Sequence, residues 1–171
     1  MPSDPTPPAS EQDIAFMRRA IELAKQGERA RGASPIGCVI VMDGRIVAEA
    51  HNEVDIRHDP TAHAEVMAMR RAGEALGVSQ FPDAVLYSTL QPCGMCSMAS
   101  IWAKIGRIVY GAERDDVHQM YFEGRHLDTM DFITDAFRDD LSVKGGVLRR
   151  ECAGLYHQPG EDVPLEEQAN I

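Results

Sequence analysis

Two short segments decide how this chain is interpreted: residues 60–65 read PTAHAE, and residues 91–96 read QPCGMC. The first opens a predicted helix over 61–76, for which Thr61 is a good N-cap, and the second opens a predicted helix over 92–103. Backbone N–H groups in the first turn of a helix lack intrahelical acceptors, and the helix dipole makes that end favourable for anions. Both segments are therefore expected to hold their side chains where a thiolate is stabilised.

The elements around these two helices predict an α/β fold. In chain order they are a helix from Glu11 to Gly27, strands 36–42 and 45–50 joined by Asp43-Gly44, the helix 61–76, a strand 84–90, the helix 92–103 and a strand 107–110. Alternating helices and strands imply layers, and we expect a three-layer α/β/α sandwich with a central mixed sheet. Beyond Gly111 the pattern predicts a helix over 131–141, an edge strand over 146–149 and a short helix over 151–157.

The length of 171 residues fits one domain with short tails. Four prolines among the first eight residues indicate a disordered tail over 1–10, because such a segment cannot bury enough apolar surface to order itself. We assign residues 11–158 to the functional domain. Residues 159–171 are predicted to form an acidic C-terminal tail.

Charge and hydropathy limit the partners of this protein. Lys and Arg total 17 against 27 Asp and Glu, which gives a net charge of −10 and disfavours nucleic acid. No apolar stretch approaches the length of a membrane span, and the N-terminus lacks the basic start and apolar run of a signal peptide. We therefore expect a cytoplasmic protein without membrane contact.

One imidazole and two thiols in the quoted segments form a candidate metal site. His63, Cys93 and Cys96 are ligand types that Zn²⁺ prefers, and the C-x-x-C step brings both sulfurs to one helix face. Three protein ligands leave a position for water, whose pKa zinc lowers towards about 7. Glu65 then lies where it can move protons between that water and a leaving group. The sequence thus predicts one catalytic zinc ion.

Two other interpretations of the cysteines are open at this point. A C-x-x-C pair can be a redox centre, although that motif does not need His63 or Glu65. Alternatively, Cys38, Cys152 or another His could complete a four-ligand structural zinc site in a domain that only binds a partner. Cys38 and Cys152 are predicted to be small core residues instead. Zinc content would not separate the structural site from the catalytic one, but a water in the fourth position would.

The H-x-E and P-C-x-x-C segments resemble the cytidine deaminase-like superfamily of zinc-dependent base and nucleoside deaminases, and the resemblance extends over about residues 13–156. It implies the cytidine deaminase-like fold and hydrolytic removal of an exocyclic amine with release of ammonia. By position, the resemblance implies that Asn52 hydrogen-bonds the base and that Ala62 lines the pocket. It also implies that the Cys93 backbone N–H bonds the water or hydroxide on the zinc.

Two branches of this superfamily share features with the chain. Residues 57–65 and 105–109 resemble bacterial tRNA adenosine deaminases. Those enzymes end in a basic helix that grips the anticodon stem, whereas residues 152–171 contain neither Lys nor Arg. Since phosphate contacts supply most of the affinity for nucleic acid, this difference weighs against an RNA substrate.

The small guanine deaminases are the second branch, and residues 111–123 resemble them. That resemblance implies that Asp116 and Glu123 recognise or protonate a purine. Trp102 matches a pocket Trp of the same branch, where an aromatic face packs on a flat base.

The sequence therefore predicts a zinc-dependent hydrolase that deaminates a free nucleobase or a similar aminated heterocycle, with guanine favoured. A tRNA adenosine-to-inosine deaminase acting at the wobble position and a cytosine or nucleoside deaminase are the alternatives. Related enzymes are at least dimers because one subunit leaves the pocket incompletely walled. We therefore expect a homodimer with one zinc ion per subunit.

Overall fold

A five-stranded mixed sheet forms the centre of the computed structural model, which describes residues 8–29 and 34–168. The strands are β1 (Gly37–Met42), β2 (Arg45–His51), β3 (Val85–Leu90), β4 (Arg107–Ala112) and β5 (Ser142–Lys144). Their order across the sheet is β2-β1-β3-β4-β5. Strand β1 pairs antiparallel with β2 and β3, whereas β4 pairs parallel with β3 and β5. The mixed sheet predicted from the sequence is confirmed.

Helices cover both faces of this sheet. They are α1 (Glu11–Arg29), α2 (Val54–Arg57), α3 (Ala64–Leu76), α4 (Gly94–Trp102), α5 (Met130–Thr134) and α6 (Arg149–Ala153). Successive side chains of a strand point to opposite faces of the sheet, so the contacts of β3 show which helix lies on which face. The Tyr87 hydroxyl donates to Asp13 of α1, whereas the Ser88 hydroxyl donates to Glu65 of α3. The sheet therefore lies between two helical layers, as the three-layer prediction requires.

A buried carboxylate fastens α1 to the sheet. Asp13 accepts hydrogen bonds from Arg107 at 2.8 and 2.9 Å and from the Tyr87 hydroxyl at 3.0 Å. Burial by itself would raise the pKa of Asp13, but the bonds from Arg107 and Tyr87 outweigh it and lower that pKa to about 2. Ser10 and Asp13 also form a capping box, so residue 10 belongs to the start of α1.

The predicted N-cap of the third helix is wrong by two residues. Thr61 donates from both its backbone N–H and its hydroxyl to Asp59, at 2.8 and 2.7 Å, which closes a tight turn before the helix. His63 is the N-cap instead, with extended backbone angles, and the helix begins at Ala64. In the same way Cys93 is the N-cap of α4.

The prediction fails more widely beyond strand β4. The helix predicted over 131–141 stops at Thr134, and Arg138 turns inward to donate to the Ile101 and Ile105 carbonyl groups. The edge strand lies at 142–144 rather than 146–149, because the chain adopts left-handed backbone angles at Gly146 (φ 77°) and Leu148 (φ 52°).

Two short helices also depart from the sequence prediction. The last helix covers Arg149–Ala153 instead of 151–157. Helix α2 was not predicted at all, because its four residues are too few for a periodic pattern.

The two predicted tails differ in what the structure describes of them. Residues 1–7 and 169–171 lie outside the described residues. Residues 159–168 are described, and within them Val163 is buried and Leu165–Glu167 form a 3-10 turn. No helix in the described parts of the chain is long and apolar enough to cross a bilayer.

Candidate active site

The metal-ligand atoms of His63, Cys93 and Cys96 lie within 4.8 Å of one another. The His63 Nδ1 atom is 3.5 Å from the Cys93 sulfur and 3.7 Å from the Cys96 sulfur. His63 and Cys93 cap the N-termini of α3 and α4, and Cys96 lies in the first turn of α4. One imidazole and two sulfurs at this spacing fit the ligand set of zinc.

No fourth protein ligand joins this group within the described residues. Cys38 is buried in strand β1, and the Cys152 thiol faces the Val147 carbonyl group on the other side of the sheet. Both cysteines are therefore core residues, as predicted. A tetrahedral zinc held here keeps one position for a non-protein ligand, which is the arrangement of catalytic rather than structural sites.

The surroundings of Cys93 and Cys96 shift the pKa values of their thiols in opposite directions. A hydrogen bond from Cys96 and the neighbouring His63 lower the pKa of Cys93 to about 4. The pKa of Cys96 is raised instead, because its proton is shared with the Cys93 thiolate and because the thiol is buried near Glu65. The Cys93 thiolate in turn raises the pKa of His63. One thiolate is thus favoured without metal, and a bound dication favours the second.

Glu65 lies beside the three ligands and is 3% exposed. Its Oε1 atom accepts from the Ser88 hydroxyl at 2.9 Å, and its Oε2 atom is 3.4 Å from the Cys96 sulfur. Burial and the negative charge of Cys93 raise the pKa of Glu65. A carboxyl group whose pKa is raised towards neutrality is suited to both accepting and returning a proton.

A cavity of about 1110 Å³ opens onto His63 and Cys93. Tyr121, Phe122 and Tyr156 are among the described residues that line it. The Tyr121 and Tyr156 rings pack edge to face, 5.2 Å apart, and the Tyr156 hydroxyl is 2.6 Å from the Thr89 hydroxyl. These flat apolar surfaces suit a flat heterocycle next to the metal ligands.

Asn52 lines this cavity and is 5% exposed. Its side-chain oxygen accepts from the Val54 backbone N–H at 3.2 Å, while its Nδ2 group has no hydrogen-bond acceptor among the described residues. Glu53 fixes the neighbouring backbone: its N–H donates to the Ala62 carbonyl, and its buried carboxylate is held by Arg57 and Arg71. The structure therefore presents an amide N–H donor from a rigid segment to the cavity.

Glu123 also lines the cavity, and its carboxylate accepts from the Gly94 backbone N–H at 2.5 Å. That N–H belongs to the first residue of α4, where the helix dipole favours a negative charge. A side chain at Gly94 would displace this carboxylate, because a Cβ there would overlap Glu123.

Three other predicted site residues lie elsewhere in the single chain. Ala62 is fully buried and is not part of the cavity wall. Asp116 accepts two 2.8 Å bonds from Arg149 and caps a 3-10 turn, also away from the cavity. Trp102 ends α4 with 79% of its surface exposed.

Sequence reasoning missed the two tyrosines and the C-terminal part of the cavity. Tyr121 precedes Phe122 in a segment that was singled out, so a search for neighbouring aromatic residues could have found it. Tyr156, Glu161, Glu166 and Glu167 also line the cavity. Nothing in their local sequence indicates this, because it follows from packing between distant parts of the chain.

Comparison with known proteins agrees with this geometry. Residues 10–112 match the cytidine and deoxycytidylate deaminase zinc-binding region. The guanine deaminase of Bacillus subtilis (strain 168) is 44% identical over 108 residues, which cover 63% of this chain and 69% of that protein. The tRNA-specific adenosine deaminase of the same strain is 35% identical over 148 residues, which cover 84% and 86% respectively.

A solved structure from a study of A-to-I editing by tRNA:A34 deaminases at the wobble position is 35% identical to this chain. Its TM-score is 0.70, over 82% of this chain and 98% of that one. A redox C-x-x-C pair does not explain these matches together with the three-ligand geometry. A structural zinc site in a domain that only binds a partner does not explain them either. The chain belongs to the cytidine deaminase-like superfamily and is a zinc-dependent deaminase.

Proposed function

We propose that this deaminase acts on a free purine-type base, with guanine as the favoured substrate, and converts a ring C–NH₂ group to a carbonyl with release of ammonia. The observation that carries the proposal is the composition of the cavity. Aromatic walls, the Asn52 amide and the Glu123 carboxylate surround the space beside His63 and Cys93. A small flat base with N–H and carbonyl groups matches those surfaces.

Glu65 is the proposed proton shuttle of the reaction. Zinc, when bound, supplies the Lewis acidity that makes a water molecule nucleophilic at neutral pH. Glu65 takes one proton from the attacking water and delivers it to a ring nitrogen. It then takes the second proton from the hydroxyl group now on the ring carbon and delivers it to the leaving amine. A C–O bond forms, the C–N bond breaks, and the carboxylate is regenerated. The Ser88 hydroxyl holds Glu65 in position throughout.

Three groups are proposed to orient the base and the water. The Asn52 Nδ2 group donates to an acceptor on the ring, and Glu123 accepts from a ring N–H or amine. The Cys93 backbone N–H hydrogen-bonds the oxygen of the attacking water. In support of these roles, Asn52 and Glu123 are both fixed by backbone N–H groups and both line the cavity.

A panel of ammonia-release assays tests the substrate. It contains guanine, cytosine, adenine, their nucleosides and an anticodon-arm RNA, with the Glu65→Ala protein as the inactive control. We expect guanine to be turned over faster than every other compound. Conversion of the wobble adenosine in the RNA, with all free bases inert, would contradict the proposal.

One observation favours the tRNA alternative. The tRNA-specific adenosine deaminase match covers 84% of this chain, whereas the guanine deaminase match covers 63%. Against it, the described walls of the cavity carry acidic groups and include neither Lys nor Arg, which is unfavourable for phosphates.

The homodimer also remains a proposal. Met98 and Trp102 lie one turn apart on α4, with 41% and 79% of their surfaces exposed. A second copy of the chain that covers them would complete the wall of the pocket, and it is the setting in which Trp102 could face a base. Light scattering that finds an active monomer would contradict this. A cytoplasmic location likewise stays a prediction.

A further inference from the structure

Besides Glu123, five exposed carboxylates from three separate parts of the chain line the cavity. We call them the acidic entrance; they are Glu28 of α1, Asp55 of α2, and Glu161, Glu166 and Glu167 of the C-terminal segment. All five residues are exposed, whereas Asn52 and Cys93 at the inner end are buried. None of the described residues that line the cavity is a Lys or an Arg. A solute that enters the cavity therefore comes close to these carboxylates.

The C-terminal segment is fixed against the domain, so its carboxylates have defined positions. Glu161 accepts from the Gln158 backbone N–H at 2.7 Å and pairs with His157 at 3.1 Å. The His157 carbonyl accepts from the buried His118 backbone N–H at 2.7 Å. The buried Val163 and a 2.8 Å bond from Gln168 to the Val163 carbonyl hold the rest of the segment.

Several like charges that line one cavity change the local concentration of charged solutes. Carboxylates within about 10 Å of a passing anion repel it at low ionic strength, whereas added salt screens this repulsion. A neutral molecule is unaffected, and a cation is attracted. The Asn52 Nδ2 group, which has no hydrogen-bond acceptor among the described residues, recognises the heterocycle itself and not its charge.

We propose that the acidic entrance is a charge filter, which admits neutral and cationic heterocycles to the zinc site and rejects phosphorylated ones such as nucleotides. This inference rests on the proposed function in that the cavity is the path of the substrate. It adds that residues outside the chemistry discriminate between free bases and their nucleotides. This discrimination takes place before the substrate contacts Glu65.

Metal removal from the zinc-loaded enzyme tests the filter without any assumption about the substrate. Dipicolinate, a dianion, and 1,10-phenanthroline, a neutral chelator of similar flatness, must both pass the entrance to reach the zinc. The test variant combines Glu161→Gln, Glu166→Gln and Glu167→Gln. The matched control combines Glu11→Gln, Glu74→Gln and Asp139→Asn, three exposed residues outside the cavity, and has the same total charge.

In the test variant we expect zinc loss to dipicolinate to accelerate about fivefold at low salt, from the summed screened repulsions of three charges. Zinc loss to phenanthroline should not change, and the control should match the wild type with both chelators. High salt should remove the difference between the variants. Thermal unfolding of each protein verifies that the fold is retained.

The outcomes separate this inference from the proposed function. If the ratio of the two removal rates is the same in all three proteins, or moves equally in the control, the filter is wrong even if guanine is deaminated. If the ratio moves only in the test variant while guanine is not a substrate, the filter stands and the proposed substrate falls.

Discussion

The inner and outer ends of the cavity are built in different ways. At the inner end, His63 and Cys93 cap two helices, and Glu65 and Cys96 lie in the first turns that follow. At the outer end, the walls come from 3-10 turns and from a C-terminal segment, which distant contacts hold in place. The metal-ligand group thus comes from local motifs, whereas the outer walls of the cavity come from long-range packing. Substitutions at the two ends should therefore fail in different ways.

The largest expected effect is at the inner end. Glu65→Ala should lower kcat by at least about 10³-fold, because the same carboxylate accepts and returns protons. Zinc content and the thermal unfolding temperature should stay near wild type, since Glu65 is not among the three ligands. Cys93→Ala is the companion variant, and metal analysis should show that it also loses zinc. Near-normal turnover by Glu65→Ala would contradict the assigned role.

The next largest expected effect is on the free energy of unfolding, through the Asp13–Arg107 pair that joins α1 to the central sheet. The pKa of Asp13 is lowered from 3.8 to about 2, so the stabilisation from its pairing with Arg107 is complete above about pH 4. It is lost as the pH falls through 2. Chemical denaturation of the wild type and of Asp13→Asn should show a difference in unfolding free energy that shrinks by about 2 kcal/mol over this range.

Comparison of the two proteins at each pH cancels the acid release of zinc, which both undergo. A difference that stays constant between pH 4 and pH 2 would show that Asp13 titrates normally in the folded protein. Deaminase activity at neutral pH should be unchanged relative to zinc content, because Asp13 lies on the face of the sheet opposite α3.

The smallest effect should appear at the outer end. Tyr121→Ala removes one aromatic wall and should raise KM for the base about fivefold, with little change in kcat, because stacking contributes about 1 kcal/mol. Tyr121→Phe keeps the ring and is the control. A fall in kcat with unchanged KM would place Tyr121 in the chemistry and would remove the distinction between the two ends.

The sequence predicted the inner end because its side chains lie within six residues of one another in each motif. The same reasoning placed the helix start at Thr61, since it did not foresee that Asp59 would engage that residue. The same reasoning could not predict the structure after β4. Asp116 is paired with Arg149, a partner 33 positions away, and the breaks at Gly146 and Leu148 depend on left-handed backbone angles. No periodic pattern records such contacts.

The C-terminal segment has a practical consequence for anyone who purifies this protein. Gln168 lines the cavity, so an affinity tag fused to this segment would lie close to the active site. Helix α1 carries Asp13, which pairs with Tyr87 of β3 and Arg107 of β4, near its N-terminal end and Glu28, which lines the cavity, near its C-terminal end. A tag that precedes Ser10 is therefore attached about one helix length, roughly 25 Å, from the substrate path. Kinetic comparisons should therefore use protein that carries the tag before Ser10.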